Sequence, residues 1–371
     1  MKIPLLDLKA EYAPIKSEIL RALEEVLDGM QLYMGPNCRA FEEEFANSIG
    51  VRHAIGLSSG TDALLLAFMA LGIKPDDEVI VPSHTFVATV APLAFLGARP
   101  VFIDINPHNY TLNPDLLGAL VTERTRAVVP VHLYGHAADM DRIVEFAQRH
   151  RLWVIEDVCQ AVGGEYRGKK LGSIGDIGCF SFVYTKNMKA YADAGAVTTN
   201  NDDLAEKIRR LRDHGRTDKY THPSFGLNAR LGELEAAILR IQLRHNEKRT
   251  EGRRDHASQL NSQLRNSGIG LPIEESYARH VYHLYVVRSA HRDELAAHLN
   301  ERGIQTGIHY PIPCHLQGAC RPYSRRSGSL PQTEKAAKEI LSIPVYPELT
   351  STQVQYIADA IIDFQRQPRR P

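Results

Sequence analysis

Apolar runs of strand length alternate along the chain with amphipathic segments of helical period. The pattern predicts strands at Glu78–Pro82, Pro100–Asp104, Arg126–Leu133, Leu152–Asp157 and Cys179–Val183. A helix predicted over Asp139–His150 carries an apolar face formed by Met140, Ile143, Val144, Phe146 and Ala147. Repeated alternation of strand and helix predicts an α/β fold with a mostly parallel sheet that helices cover on both faces.

The pattern changes after a long helical segment, Leu231–Arg249, which ends in a charged stretch, His245–Arg254. We therefore predict a large domain over 1–245 and a smaller C-terminal domain over 246–371. The second part is predicted to contain a strand at Tyr282–Arg288, a helix at Arg292–Arg302, a loop at Pro311–Pro331 and a helix at Thr352–Phe364. Mixed elements of this kind indicate a small α+β domain.

Composition narrows the classes of function. The 371 residues include 44 basic and 44 acidic side chains, so the net charge of zero gives no reason to expect nucleic acid or an anionic membrane as a partner. Five cysteines without metal-ligand spacing predict reduced thiols and no metal site. Charges interrupt the N-terminal segment, and no apolar run approaches the roughly 18 residues of a membrane span. We therefore predict a cytoplasmic protein.

The candidate chemistry lies between Val154 and Asn200. One apolar strand delivers Asp157 at its carboxyl end, and a second apolar run ends shortly before Lys186. Such a lysine can bind an aldehyde cofactor as a Schiff base, while the carboxylate keeps the cofactor ring nitrogen protonated. Alternatively, Lys186 is a solvated surface charge and Asp157 caps a helix. Lys189 is a competing lysine, and we expect it at the surface.

Three short motifs, Asp157–Ala161, Phe180–Phe182 and Thr185–Asn187, carry a resemblance. They are similar to the signature of the DegT/DnrJ/EryC1/StrS family of pyridoxal-phosphate sugar aminotransferases. The likeness covers essentially the whole chain through the segments IPLLDLKAEY, SSGTDALLLAF, PSHTFVATV, PVHLYGH, GIHYPIPCHLQ and LSIPVYPELT. The resemblance implies the aspartate-aminotransferase-like fold, fold type I of this cofactor, with a large cofactor-binding domain and a smaller C-terminal one.

Small residues from Ser58 to Asp62 precede the apolar helical segment Ala63–Ala70. Free backbone amides at a helix N-terminus suit a phosphate group, although Ser59 or Thr61 could equally be an ordinary helix cap. The resemblance implies that Gly60, Thr61 and Ser181 hold the cofactor phosphate.

The resemblance also assigns contacts to the cofactor ring. Phe86 would stack on the ring rather than serve as a core aromatic, Asp157 would pair with the ring nitrogen, and Gln160 would donate to the phenolic oxygen. The family usually continues Gln-Ala-His-Gly, whereas this chain has Val162 at the histidine position. That departure leaves open the role that the histidine has in the family.

Gly226–Arg230 matches the family pattern Gly-x-Asn-x-Arg. Asn228 is either a loop residue before a helix or, as the resemblance implies, a residue that reaches the phosphate of a neighbouring subunit. In the second case each active site needs two chains, and the enzyme is an obligate homodimer.

The resemblance implies transfer of an amino group from L-glutamate to a nucleotide-linked keto-hexose in amino sugar biosynthesis. Lys186 would form the Schiff base, pyridoxamine phosphate would be the intermediate, and the kinetics would be ping-pong. The segment Gly307–Gln317 resembles the 3-keto branch slightly more than the 4-keto branch. His309, Tyr310 and His315 would bind the substrate or serve only for packing.

Other functions remain as alternatives. A keto-cyclitol is a second class of acceptor, and a regulatory protein that keeps the fold without turnover is a second class of function. A dehydratase of the same fold would carry histidine in place of Lys186, and a nicotinamide-dependent dehydrogenase would need a Gly-x-Gly-x-x-Gly turn that the chain lacks.

Overall fold

The strand that carries Asp157 lies in the middle of a seven-stranded sheet in the computed structural model, which describes residues 1–324 and 328–367. In these residues the strands are β1 (His53–Leu57), β2 (Glu78–Pro82), β3 (Arg99–Ile103), β4 (Thr125–Val128), β5 (Trp153–Asp157), β6 (Glu165–Tyr166), β7 (Lys169–Lys170), β8 (Ile177–Ser181), β9 (Gly195–Thr199), β10 (Ala278–Arg279), β11 (Tyr285–Arg288) and β12 (Ile340–Ile343). The large sheet has the order β1-β9-β8-β5-β4-β2-β3. Only β9 runs antiparallel to its neighbours, so the predicted mostly parallel sheet is confirmed.

Helices cover both faces of this sheet. The described helices are α1 (Leu8–Tyr12), α2 (Lys16–Gly29), α3 (Pro36–Ile49), α4 (Gly60–Ala70), α5 (Ala91–Phe95), α6 (Met140–His150), α7 (Asp202–Leu211), α8 (Glu233–Leu264), α9 (Arg292–Glu301), α10 (Arg321–Ser324), α11 (Pro331–Glu339) and α12 (Ser351–Arg366). Phe45 of α3 and Ile143 of α6 belong to one buried apolar cluster, and Leu64 of α4 and Ile208 of α7 belong to another. Among the described helices, none has the length and apolar character needed to cross a membrane.

Three predicted strands differ from the structure by two residues or more, and one of them, Tyr282–Arg288, begins only at Tyr285. The strand predicted over Arg126–Leu133 ends at Val128, because Pro130 has no N–H for the ladder. The strand predicted over Cys179–Val183 begins and ends two residues earlier, at Ile177 and Ser181. The edge strand β1 and its neighbour β9 were not predicted, although both are short apolar runs.

Helix α8 continues through the charged stretch at which we predicted its end. The charges are paired with residues distant in the sequence: Arg249 lies 3.1 Å from Glu11, and Arg254 lies 2.6 Å from Glu274. Such partners cannot be recognised from the local pattern. The predicted domain boundary at 245/246 falls inside this helix, and the division into two domains stays a prediction.

The C-terminal part has its own buried cluster. It contains Leu260 of α8, Leu295 of α9 and Ile357 of α12, packed on the antiparallel pair β11–β12. The predicted loop Pro311–Pro331 contains two 3₁₀ turns and the short helix α10. For the arginine-rich segment Arg321–Arg326 the sequence predicts either a diphosphate contact or solvated charges, and its Arg325 and Arg326 lie outside the described residues.

Candidate active site

The carboxyl ends of β2, β5 and β8 meet at one cleft of about 360 Å³. In open parallel sheets this edge is where ligands bind, because connecting loops diverge there. The predicted residues that line the cleft are Gly60, Thr61, Phe86, Asp157, Gln160, Ser181, Lys186 and Tyr310. The fold therefore brings together residues from distant segments, as the sequence interpretation required.

Asp157 presents its carboxylate at the end of β5 and is only 4% exposed. Thr89 Oγ1 donates to its Oδ2 at 2.8 Å, and the backbone N–H of Cys159 donates to its Oδ1 at 3.1 Å. Thr89 Oγ1 in turn lies 2.8 Å from Thr85 Oγ1. These neutral groups orient the carboxylate without neutralising it, so its charge can act on a bound ligand.

The adjacent carboxylate, Glu156, has a structural environment. It is fully buried and accepts hydrogen bonds from His132 Nε2 at 3.0 Å and from the backbone N–H groups of Gly172 and Gly175 at 2.9 and 2.7 Å. Burial by itself raises the pKa of Glu156, but these hydrogen bonds outweigh it and hold the pKa below its usual value. Glu156 thus ties β5 to the following loop, whereas Asp157 faces the cleft.

Lys186 follows β8 on a turn closed by a hydrogen bond from its own N–H to the carbonyl oxygen of Val183 at 2.9 Å. Its side chain is half-buried in the cleft wall. Burial lowers the pKa of Lys186, although Cys159 and Asp157 oppose that shift. A lowered pKa increases the fraction of neutral amine, which is the form that attacks an aldehyde or accepts a proton.

The expectation that Lys189 lies at the surface is wrong. Lys189 is fully buried and forms an ion pair with Glu11 of α1, which is 2% exposed. Burial lowers the pKa of Lys189 to about 8, with Glu11 opposing the shift. Glu11, in the N-terminal segment, supplies the countercharge for Lys189. Because Glu11 lies far from Lys189 along the chain, the sequence around Lys189 does not reveal the pair.

Removing one partner of this pair should destabilise the protein strongly. E11A would leave the buried Lys189 without its countercharge, and we expect a loss of about 3–5 kcal/mol in the free energy of unfolding. K189A should cost less, because Glu11 keeps its ion pair with Arg249 at 3.1 Å. The double variant E11L/K189M replaces both charges by apolar groups and should recover most of that loss. Denaturant titration of the three variants measures it, and single variants as stable as the wild type would contradict the assigned pair.

Gly60 begins α4 directly against Ser181. A Cβ on Gly60 would lie 2.6 Å from the Cβ of Ser181 and 3.1 Å from the sulfur of Cys159. Ser59 caps the helix by accepting from the N–H of Asp62 at 3.0 Å. Ser59 therefore caps the backbone N–H of Asp62, and the other N–H groups at the start of α4 remain suited to binding an anion.

Substitution G60A should weaken cofactor binding by about tenfold to a hundredfold, because overpacking costs about 1–3 kcal/mol at such a contact. Titration of the cofactor-free protein with pyridoxal phosphate gives the affinity. The matched control is G118A, since a Cβ at Gly118 meets no atom within 4 Å. Equal affinities for both variants would argue against phosphate binding beside Gly60.

An aromatic and amide wall closes the other side of the cleft. Phe86 is 52% exposed, and its ring centroid lies 5.5 Å from that of Tyr310. Gln160 Oε1 accepts from the N–H of Tyr134 at 2.8 Å, and Gln160 Nε2 donates to the Tyr310 hydroxyl at 3.1 Å. The amide is thus oriented, and one flat ring face stays available for stacking.

Three predicted residues do not line the cleft. Asn228 is exposed. His309 contacts Ser342 Oγ through its Nδ1 at 2.8 Å, and the buried His315 contacts Ser83 Oγ at 2.6 Å. Their binding roles stay predictions, and both histidines have packing partners in this structure.

Sequence reasoning also missed cleft residues. Thr89, Cys159 and Asp193 line the cleft without having been proposed. Thr89 stands three residues after Phe86, in the segment that follows β2. A polar residue in that segment was the sequence signal that could have identified Thr89.

A mostly parallel α/β sheet with a lysine and a carboxylate at one cleft defines the class of fold type I aminotransferases, which use pyridoxal phosphate. The chain belongs to the DegT/DnrJ/EryC1/StrS aminotransferase family, whose model matches residues 13–362. The protein is accordingly an aminotransferase, and its relatives make it a sugar aminotransferase.

Two relatives are 44% identical to this chain. One, named pleiotropic regulatory protein, comes from Geobacillus stearothermophilus, and the match covers 99% of each chain. The other, named dTDP-3-amino-3,4,6-trideoxy-alpha-D-glucose transaminase, comes from Streptomyces venezuelae, and the match covers 98% of this chain and 96% of the relative.

Solved structures agree with this assignment. The structure of S. venezuelae DesV in complex with a ketimine intermediate has a TM-score of 0.97 at 43% identity and covers 99% of this chain and 100% of that one. The structure of NtdA from Bacillus subtilis with bound cofactor PMP has a TM-score of 0.91 at 33% identity and covers 99% and 86%. Pyridoxal phosphate is thus the cofactor of this family.

The residues of the cleft fit this cofactor. A side chain on Gly60 would clash with Ser181, so glycine at this position lets the start of α4 lie directly against β8 with its backbone amides at the cleft. Asp157 supplies an oriented carboxylate, Lys186 an amine of lowered pKa, and Phe86 an exposed aromatic face.

Proposed function

We propose that this protein transfers the amino group of L-glutamate to a nucleotide-linked 3-keto-hexose. The observation that carries the proposal is the cleft shared by Lys186 and Asp157, in which the pKa of the lysine is lowered by burial. The name of the S. venezuelae relative, which places the amino group at position 3 of a dTDP-linked sugar, supports the choice of acceptor.

When bound, pyridoxal phosphate supplies an aldehyde that takes up the amino group and a ring that withdraws electrons. Lys186 would hold the cofactor through its aldehyde, and the Lys186 amine, when free, would accept the proton of the donor carbon. Asp157 would keep a proton on the ring nitrogen, and Phe86 would pack on the ring face. Since one cleft serves donor and acceptor in turn, the kinetics are ping-pong.

The test is an absorbance spectrum of the purified protein with pyridoxal phosphate, repeated after L-glutamate is added. We expect the band of the lysine-bound cofactor to disappear with glutamate and to return with the correct acceptor. Keto-hexoses linked to dTDP or UDP, with the ketone at position 3 or 4, and a keto-cyclitol are the acceptors to compare. Return of the band with only a 4-keto sugar or the cyclitol would overturn the acceptor.

The name of the G. stearothermophilus relative favours a second function, regulation. A regulatory protein without turnover would tolerate the loss of Lys186 or of Asp157, and both residues occupy the cleft. A stable band that no amino donor removes would support the regulatory function.

We also propose a homodimer with shared active sites. Phe225 and Tyr220, in the segment before Asn228, are 98% and 80% exposed, and large exposed aromatic groups are typical of an interface.

Mixing of two inactive variants tests this arrangement. If Asn228 serves the neighbouring subunit, K186A and N228A should each be impaired, whereas refolding them together should restore activity at the one site that is intact. Light scattering should give twice the monomer mass. A monomeric mass, or no recovery on mixing, would contradict shared sites.

A further inference from the structure

The residue after the cleft lysine, Asn187, is tied at both ends of its side chain to the C-terminal part of the chain. Asn187 is 7% exposed. Its Nδ2 donates to the carbonyl oxygen of Val281 at 3.1 Å, and its Oδ1 lies 3.2 Å from Nδ1 of His283. The turn that carries Lys186 is therefore fastened to the segment just before β11.

These two contacts fix the hydrogen positions. A carbonyl oxygen only accepts, so the Asn187 amide must point its NH₂ group at Val281 and its oxygen at His283. An amide oxygen also only accepts, so His283 must carry its hydrogen on Nδ1. In the neutral ring, Nε2 is then an acceptor.

We propose that Asn187 and His283 are positioning residues for Lys186, whose hydrogen bond holds the turn Val183–Asn187 in the place from which the amine reaches the cofactor. The inference rests on the proposed function only in so far as Lys186 binds the cofactor.

The groups around His283 keep this arrangement stable. Burial lowers the pKa of His283 well below its usual value, and the nearby cations Lys186, Arg253 and Lys189, together with His309, lower it further. His283 therefore stays neutral around neutral pH and keeps its single hydrogen for Asn187.

Lys186 lies between two groups of titratable residues. Asp157 and Cys159 raise its pKa, while burial lowers it. His283 and His309 respond to the lysine charge, which lowers the pKa of each. A shift of the turn would change the burial of Lys186 and its distances to all four residues, so the lysine pKa reports the position of the turn.

The variants are chosen to separate positioning from general structure. N187A and H283A each remove the hydrogen bond between Asn187 and His283, and N187A also removes the one to the Val281 carbonyl oxygen. H283N keeps a donor at the place of Nδ1, because the asparagine NH₂ group reaches the same position, and it removes only the rest of the ring. N187A/H283A tests whether the two residues act through one link.

The first measurement needs no cofactor. Lys186 in the cofactor-free protein is labelled with an amine-reactive reagent at a series of pH values, and mass spectrometry gives its apparent pKa. We expect that pKa to rise in N187A and H283A, because the turn becomes more solvated, and to stay at the wild-type value in H283N. The labelled peptide should be missing from K186A, which confirms that the label is on Lys186.

The second measurement is the rate of the half-reaction with glutamate. A small displacement of a reacting group lowers the rate, and we expect a loss of about tenfold in N187A, in H283A and in the double variant alike. H283N should retain the wild-type rate. An unchanged labelling pKa in N187A, losses that multiply in the double variant, or an H283N as impaired as H283A would each overturn the inference. If the wild type showed no cofactor band, the proposed function would be rejected instead. The labelling result would still stand, because it is obtained on the cofactor-free protein.

Discussion

Replacing Lys186 by alanine is expected to abolish the band of the lysine-bound cofactor and to lower turnover by about 10⁴-fold or more, because the variant loses both the group that binds the aldehyde and the base that moves the proton. Stopped-flow absorbance with the amino donor measures the first loss, and product formation measures the second. K186R keeps the charge but supplies no neutral amine, so we expect it to be equally inactive.

The matched control is K169A. Lys169 is an exposed lysine of β7 and should be replaceable without effect on the band or on turnover. If K186A kept the band while K169A lost it, the assignment of the cofactor lysine would be wrong. Thermal unfolding of both variants should show similar stabilities, because Lys186 is only half-buried and the described structure gives it no ion pair.

The second large effect is expected for D157N, which keeps the size of the side chain and removes its charge. Without a carboxylate the ring nitrogen loses its proton and the ring withdraws electrons less, so the rate of the glutamate half-reaction should fall by about a hundredfold to a thousandfold. Rapid-mixing absorbance gives that rate. Cofactor affinity should fall much less, since the phosphate contacts remain.

T89V separates charge from orientation. It removes the hydroxyl that donates to Asp157 Oδ2 at 2.8 Å and leaves the carboxylate charged. We expect a loss of about fivefold, because one orienting hydrogen bond is worth about 1 kcal/mol. A D157N variant with the wild-type rate would show that another group holds the ring nitrogen, and T89V as damaging as D157N would show that orientation matters more than charge.

Much of the site could be predicted because its residues follow apolar runs. Asp157 ends one strand and Lys186 follows another, and parallel strands bring their carboxyl ends to one edge, so the pattern predicts that these two side chains meet. Ser181 was assigned only by the resemblance. The strand pattern alone does not separate Glu156 from Asp157, since adjacent residues of a strand point to opposite faces, and the resemblance was what assigned the ring nitrogen to Asp157. Only the packing shows that the Glu156 carboxylate accepts hydrogen bonds from His132 and from backbone N–H groups.

The two lysines make the same point. Lys186 and Lys189 lie three residues apart, and the buried character of Lys189 depends on Glu11, which comes from the start of the chain. The length of α8 likewise depends on partners such as Glu11 and Glu274 for its charged stretch. His315 next to a family-like motif suggested substrate binding, yet its hydrogen bond to Ser83 forms only after two remote segments pack.

By itself, the sequence determined the alternation of strands and helices, the parallel sheet, the family and the residues at the strand ends, because these depend on local periodicity and on short motifs. The tertiary structure decided how Glu156 and Lys189 are buried and paired, how far α8 extends, and how Asn187 links the lysine turn to the C-terminal part of the chain. Those outcomes depend on the burial of charge and on hydrogen-bond partners far away in the sequence, and a buried charge or amide is stable only where such partners meet it.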